Sequence, residues 1–441
     1  MYFSKNPRKS LIILILTFFL IIFGLFELGL RIFAPIALPV AGYKLTENGL
    51  KYGWGFDPHQ LVRVINPDNG TVYQDYVNSH GWRDVEHSTI KPAKRFRILV
   101  LGDSNTFGYV VPLDKLYTRL LDNKLKDLNY DAEVISMGYS GWSTDQQLEA
   151  FKREGSKFKP DLVILQITLN DLDENMYWRD QGKFGERKPF YFKLNKFNQA
   201  IRYENKRFFG KFIDVNRAHF ISRSQVLMRF EIAREKVKKL FCKKFHFGSA
   251  QVQQFYLETG VSVSERFKEE ASKNKNCGIS LAKLDNVIDK ENLRTHRELI
   301  HRIASWPEYN EFISKEKYQL ENLDLNSEKW KLFNALLGEL TKEVKKEGAQ
   351  LALIFDQDQG HYEWLRYWVR IGGGAIVKER YYSWANKIEE LANELKIDFI
   401  PNNKKIERAH RDPHPNESGN QVMAENLFDF IIENFKYRLK P

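Results

Sequence analysis

Cysteine is scarce in this chain: two occur in 441 residues, Cys242 and Cys277. That excludes a disulfide framework and a four-cysteine zinc site, although in an oxidising compartment the two could pair across a separation of 35 positions. No internal repeat and no low-complexity segment occurs, and a mean hydropathy of −0.49 excludes a polytopic membrane protein. Acidic residues are in deficit, 57 against 68 Lys and Arg, for a formal net charge of +11. What remains is ordinary globular composition, 43% hydrophobic and 28% charged, in a chain long enough for two or three domains.

One long apolar run stands at the N-terminus. Lys5, Arg8 and Lys9 precede Leu11–Phe26, and extension past Glu27 to Leu30 gives 20 residues, the length of a membrane-crossing helix. No small-x-small cleavage site follows, and the run is longer than the apolar core of a cleavable signal. A cleaved signal peptide and a buried core helix are the other readings of such a run. As an anchor, the three cations against a lone Arg31 keep the N-terminus in the cytoplasm. The expectation is a single-pass inner-membrane protein whose C-terminal body faces the periplasm or the exterior.

Residues 35–90 lack helical periodicity and read as a β-and-loop lead-in. Arg97–Leu101 is the continuous apolar run of a strand buried on both faces. Residues 114–127 carry leucines at helical spacing; 132–137 and 162–167 read as strands and 144–154 as a helix. Alternating strand and helix point to a doubly wound α/β sheet. The rhythm stops after Asp171 and resumes with a helix over 328–346, a strand over 350–355, a helix over 381–395, a strand over 397–400 and a helix over 420–434. The expected organisation is an anchor at 1–34, the lead-in at 35–90, a discontinuous α/β domain at 91–175 and 340–441, and a mainly helical insertion at 176–339.

Four short constellations carry chemistry. Gly102-Asp103-Ser104 ends the first strand, where open α/β sheets place ligands; the same residues also suit a helix cap. Asp412-Pro413-His414-Pro415 precedes the last helix and holds the one histidine of ten flanked by an Asp and two prolines. A serine nucleophile needs such a base, and the base an orienting acid. Gly138-Tyr139-Ser140-Gly141 and Leu169-Asn170-Asp171 follow the second and third strands and offer the backbone and amide donors that stabilise an oxyanion.

In this order the four resemble the blocks of the SGNH (GDSL-type) hydrolase superfamily, in its membrane-anchored bacterial form. The resemblance covers about 90–171 and 345–435. It implies a flavodoxin-like parallel sheet, Ser104 as nucleophile, His414 as base, and an oxyanion hole from Ser104, Gly141 and Asn170, with neither cofactor nor metal. Two departures stand out. Thr168 occupies the usual glycine position of the third block, and Arg411, not an acid, lies three residues before His414. The orienting acid is then Asp412 in a shifted turn, a backbone carbonyl, or an acid elsewhere. The implied function is hydrolysis of an ester, on envelope glycans or lipids. Acyl transfer to a polysaccharide by the same residues, or a binding protein with a decayed site, are the alternatives.

Other signals are weaker. His296 and His301 are five apart, which does not place them on one helix face. Gly372-Gly373-Gly374 lacks the Lys-Ser/Thr of a phosphate loop, and no Gly-x-Ser-x-Gly elbow occurs. Asn69-Gly70-Thr71 fits a glycosylation acceptor only by its three-residue pattern. The charge is local: residues 181–250 hold 18 Lys and Arg against 5 acids, with 14 Phe and Tyr interleaved, so the rest of the chain sums to −2. For an outward-facing chain, anionic lipid or an anionic glycan suits that stretch better than nucleic acid.

Overall fold

A computed structural model describes residues 7–34, 38–39, 46–168, 170–176, 188–205, 224–227, 229–230, 246–247, 279–280, 327–371, 378–410 and 412–439. Helix α1, Pro7–Phe33, is long and apolar enough to cross a membrane, and none of its side chains is buried. Its one acid, Glu27, pairs with Arg31 at 2.8 Å and accepts from Ser224 Oγ and the backbone N–H groups of Gln225 and Val226 at 2.8–3.0 Å.

The lead-in contains one helical turn the composition did not announce, α2 (Glu47–Tyr52), where Thr46 Oγ1 accepts from Gly49 N at 2.8 Å. An antiparallel hairpin follows, β1 (Leu61–Ile65) and β2 (Val72–Tyr76), with Leu38–Pro39 alongside β1. The potential glycosylation triplet lies exposed in its turn. Arg83 fastens the lead-in: it bonds Asp75 and donates to the carbonyls of Phe107, Gly108 and Val111 at 2.7–3.0 Å.

The body is a five-stranded, wholly parallel sheet. In chain order its parts are β3 (Phe96–Gly102), α3 (Ser104–Phe107), α4 (Tyr117–Asp127), β4 (Ala132–Gly138), α5 (Thr144–Arg153), β5 (Leu162–Ile167) and α6 (Asn170–Glu174). After the intervening stretch come α7 (Glu328–Lys346), β8 (Gln350–Phe355), α8 (Gln359–Ile371), α9 (Lys378–Leu395), β9 (Asp398–Ile400) and α10 (Glu417–Phe435). The strands lie in the order β4-β3-β5-β8-β9, which is the flavodoxin-like order, with its switch point between β3 and β5.

Strand alternation sorts the core into two layers. Ile98, Val100, Val134, Ile164 and Ile354 pack under α4 and α10; Leu99, Leu101, Ile135, Leu165 and Leu353 pack under α5, α7 and α9. Every residue of β3 and β5 is buried, as expected of central parallel strands.

Besides α2, two features depart from the sequence reading. Helix α8 was not expected; Asp358 Oδ1 caps it by accepting from Gly360 N at 3.0 Å and His361 N at 3.3 Å. Within the stretch read as a mainly helical insertion, Phe190–Leu194 (β6) and Ala200–Glu204 (β7) form an antiparallel hairpin. Its turn is closed by Asn195 Oδ1, which accepts from Phe197 N and Gln199 N. Most of the insertion, including Cys242, Cys277, His296 and His301, lies outside the described residues, as do Gly372–Gly374 and Arg411.

The end of β3 leaves no room for a side chain. A Cβ on Gly102 would fall inside van der Waals distance of Thr106 Oγ1 and lie 2.6 Å from Gln166 Oε1. The Thr106 hydroxyl cannot swing aside freely, since it bonds Tyr117 Oη at 2.7 Å and Gln166 Oε1 at 3.1 Å. Gly102→Ala is expected to cost about 1–3 kcal/mol, as overpacking does, read as a lowered thermal midpoint; an unchanged midpoint would contradict this packing.

Candidate functional site

Three strand ends and one loop meet at the carboxyl edge of the sheet. β3 ends at Gly102, and Asp103 caps the short helix that opens with Ser104: its Oδ1 accepts from Asn105 N at 2.9 Å. This leaves Ser104 partly exposed while Asp103 and Asn105 are buried. β4 leads into Gly141, whose φ of +72° is a conformation that favours glycine. β5 leads into Asn170, the first residue of α6.

The loop between β9 and α10 brings in the histidine. His414 Nε2 lies 2.7 Å from Ser104 Oγ, and its Nδ1 is hydrogen-bonded to Asp412 Oδ1. Asp412 Oδ1 also accepts from His414 N at 3.1 Å, so the Asp-x-His spacing closes as a tight turn with both donors on one carboxylate oxygen. Tyr109 stacks on the imidazole with ring centroids 4.4 Å apart and planes 13° from parallel. Ser104, His414 and Asp412 are therefore contiguous.

Thr168, which replaces the glycine of the resemblance, has a definite place. Its hydroxyl lies between Asp103 Oδ2, at 2.9 Å, and Asn170 Oδ1. A hydroxyl donating to Asn170 Oδ1 leaves the amide N–H₂ as the end that can face a ligand. Thr168 N also donates to Asp171 Oδ2 at 2.9 Å.

Beneath Ser104 lies a tier of buried acids. Burial, with Asp356 nearby, pushes the Asp103 carboxyl up to about 6. Burial also raises Asp171 well above the ordinary range, with Asp103 adding to the effect. Asp356 is raised by burial and partly held down by Arg408. Asp356 Oδ2 accepts from Asn105 Nδ2 at 2.9 Å and from Arg408 Nη1 at 3.0 Å. His361, buried on the first turn of α8, is pushed well below its ordinary value by burial and by the Arg408 charge. Asp356, Arg408, Thr168 and Tyr109 were not picked out from the sequence as site residues. An acid directly after an apolar strand, as Asp356 is after β8, was the available signal.

Trp54 of the lead-in also reaches the site. Its Nε1 donates to Ser140 O at 2.7 Å, and its ring stands 3.7 Å from where a Gly141 Cβ would be. Among the described residues, no group of three or more His, Cys, Asp or Glu side chains is placed to hold a metal ion.

Comparison with known proteins finds likenesses to ester-hydrolysing families. Residues 100–202 match the model of the GDSL-like Lipase/Acylhydrolase family. An arylesterase from Vibrio mimicus is 35% identical over 75 residues, 17% of this chain and 38% of that protein, so the chain matches well under half of that relative's length. Among solved structures, an acetyl xylan esterase is 12% identical with a TM-score of 0.34, the match covering 76% of this chain and 100% of that one. A GDSL-like lipase from Bacteroides thetaiotaomicron is 11% identical with a TM-score of 0.31, over 79% of this chain and 92% of that one. Over residues 100–202, from within β3 to the second strand of the hairpin that follows α6, this chain is thus similar to the GDSL-like Lipase/Acylhydrolase family.

Proposed function

We propose that the protein is a serine esterase, held at the membrane by α1, that removes acyl groups from envelope glycans or lipids. The observation that carries the reading is the 2.7 Å contact between Ser104 Oγ and His414 Nε2, with His414 Nδ1 on a buried carboxylate. In this reading His414 takes the proton as Ser104 Oγ attacks the ester carbonyl. Asp412 fixes the tautomer and stabilises the imidazolium. The N–H groups of Ser104 and Gly141 and the amide of Asn170 receive the oxyanion. The intermediate collapses to an acyl-enzyme as the leaving alcohol takes the proton from His414. Water then attacks, His414 again accepting its proton, and Ser104 leaves with that proton as the carboxylic acid departs.

The cations Lys5, Arg8 and Lys9 ahead of the apolar run support an orientation with the site outside the cytoplasm. Envelope glycans and lipids are the ester-bearing polymers met there, and the basic stretch at 181–250 suits an anionic surface. Nucleic acid and a cofactor have no part in this reading.

Purified protein should hydrolyse p-nitrophenyl acetate, and Ser104→Ala should abolish turnover without loss of fold. Asn170→Ala should lower kcat by about 10²–10³, the usual effect of removing an oxyanion donor. Retention of activity in folded Ser104→Ala protein would overturn the assignment.

Asp103 gives the site a pH signature in stability. Its folded carboxyl keeps its proton up to about 6, against 3.8 for an ordinary aspartate, so between those values the folded chain binds more protons than the unfolded one. Stability from this group is complete below the lower value and falls as pH rises through the upper one. Asp103→Asn, which keeps the cap, should therefore gain in thermal midpoint over the wild type by more near neutral pH than in mild acid. A gap that is constant or larger in acid would contradict the buried, protonated carboxyl.

A further inference from the structure

His414 sits in an irregular loop whose ladder pairing, among the described residues, amounts to a single bridge, Arg408 with Pro415. A side chain carried on such a loop keeps a hydrogen bond at 2.7 Å only if something rigid holds the backbone beside it. Resting on the esterase reading, we propose that Arg408, clamped to Asp356, is the positioning residue that holds His414 on Ser104.

The contacts converge on the peptide between the two loop residues of the site. Arg408 Nη1 donates to Pro413 O at 2.9 Å and to Asp356 Oδ2 at 3.0 Å, and Nη2 donates to Asp356 O. Pro413 lies between Asp412 and His414, so fixing its carbonyl fixes the turn in which both donors of His414 meet Asp412. Around it, Ala409 N donates to His414 O at 3.0 Å and Asn416 Nδ2 to Arg408 O at 3.2 Å.

The other end of the clamp is rigid. Asp356 directly follows β8, whose partner β5 runs beside β3. Its Oδ2 accepts from Asn105, the residue after Ser104, at 2.9 Å. One carboxylate thus touches the neighbour of Ser104 and, through Arg408, the neighbour of His414. The guanidinium is buried, with 3% of its side chain exposed, and the Asp356 side chain is fully buried. In such a site an ion pair survives only with its hydrogen bonds complete, and removing one partner strands the other charge.

The task needs the fork. An ammonium is a point charge on a flexible stem; it cannot hold the Asp356 carboxylate, the Asp356 carbonyl and the Pro413 carbonyl in one plane as the guanidinium does. Small displacements of a reacting group cost rate far more than they cost binding of a small ester. Arg408 therefore acts on kcat through His414 without touching substrate.

The test uses the full-length protein in detergent with p-nitrophenyl acetate, comparing Arg408→Ala, Arg408→Lys and Asp356→Asn. Arg97→Lys is the control, a buried arginine at the opposite end of β3 that bonds Phe158 O at 2.6 Å. Rates are referred to folded protein measured by circular dichroism. Arg408→Ala is expected to lose about 10² in kcat with KM changed by no more than about twofold. Arg408→Lys should recover little of that loss, and Arg97→Lys should keep the wild-type kcat. Guanidinium at tens of millimolar should raise the rate of Arg408→Ala at least about tenfold, a rescue that a purely structural defect would not show. The double variant with Asp356→Asn should be scarcely worse than either single one, since both break the same clamp.

Arg408→Ala protein within about threefold of wild-type kcat, or a loss shared by Arg97→Lys and untouched by guanidinium, overturns the inference. If Arg408→Ala does not fold, Arg408→Lys and Asp356→Asn decide on the same kcat criterion. A wild type no more active than Ser104→Ala overturns the esterase reading and this inference together. An active wild type with inert Ser104→Ala and an active Arg408→Ala overturns the inference alone.

Discussion

The hydrogen bond between Ser104 and His414 joins side chains 310 residues apart. It forms because the first strand of the parallel sheet and the loop before the last helix end at the same edge. In an open α/β sheet the chain leaves the carboxyl ends of neighbouring strands in opposite directions at the switch point, and the cleft opens there. β3 and β5 flank that point, so Ser104 and Asn170 are delivered to it by the two fully buried strands of the sheet. Gly141 comes from β4, and β8 supplies Asp356. What remains is to hold the loop of His414, which lies outside the ladder.

The electrostatic setting follows from the same geometry. Asp103, Asp171 and Asp356 are all buried below the site, and burial favours the protonated form of each. Arg408 is the cation set directly against Asp356, to which Asn105 and Gln166 also donate, and the Thr168 hydroxyl lies 2.9 Å from Asp103 Oδ2. His361 beside it is held neutral by its own burial. Asp412 differs in kind: its partner is the His414 ring, whose side chain is 15% exposed at the mouth of the site. The acids underneath are held in the floor of the site; the one beside the imidazole is hydrogen-bonded to the ring itself.

Much of the body could be read from the sequence because buried parallel strands are unbroken apolar runs and their crossover helices carry leucines at a helical period. The runs 162–167 and 350–355 and the helix 328–346 coincide with β5, β8 and α7. Other elements were hidden by competing signals. The alternation Phe190–Tyr191–Phe192–Lys193, with both phenylalanines buried, is a strand pattern, but the basic and aromatic composition around it masked it. Helix α8 opens on Gln359-Gly360 and is followed in sequence by Gly372–Gly374, which reads as a loop until Asp358 is seen as its cap. Arg408 and Asp356 lie 52 residues apart with no motif to link them, so only the fold brings them together. Thr168 stood out as a departure from pattern; its bonds to Asp103 and Asn170 give it a place in the site that spacing alone could not.

The central claim is that Ser104 is a nucleophile made reactive by His414. Treatment of the folded protein with a serine-directed fluorophosphonate, followed by peptide mapping, tests it most directly. The expected result is a single adduct on Ser104, lost in Ser104→Ala and strongly slowed in His414→Ala. Folded protein that takes up no label, or takes it up elsewhere, would contradict the account.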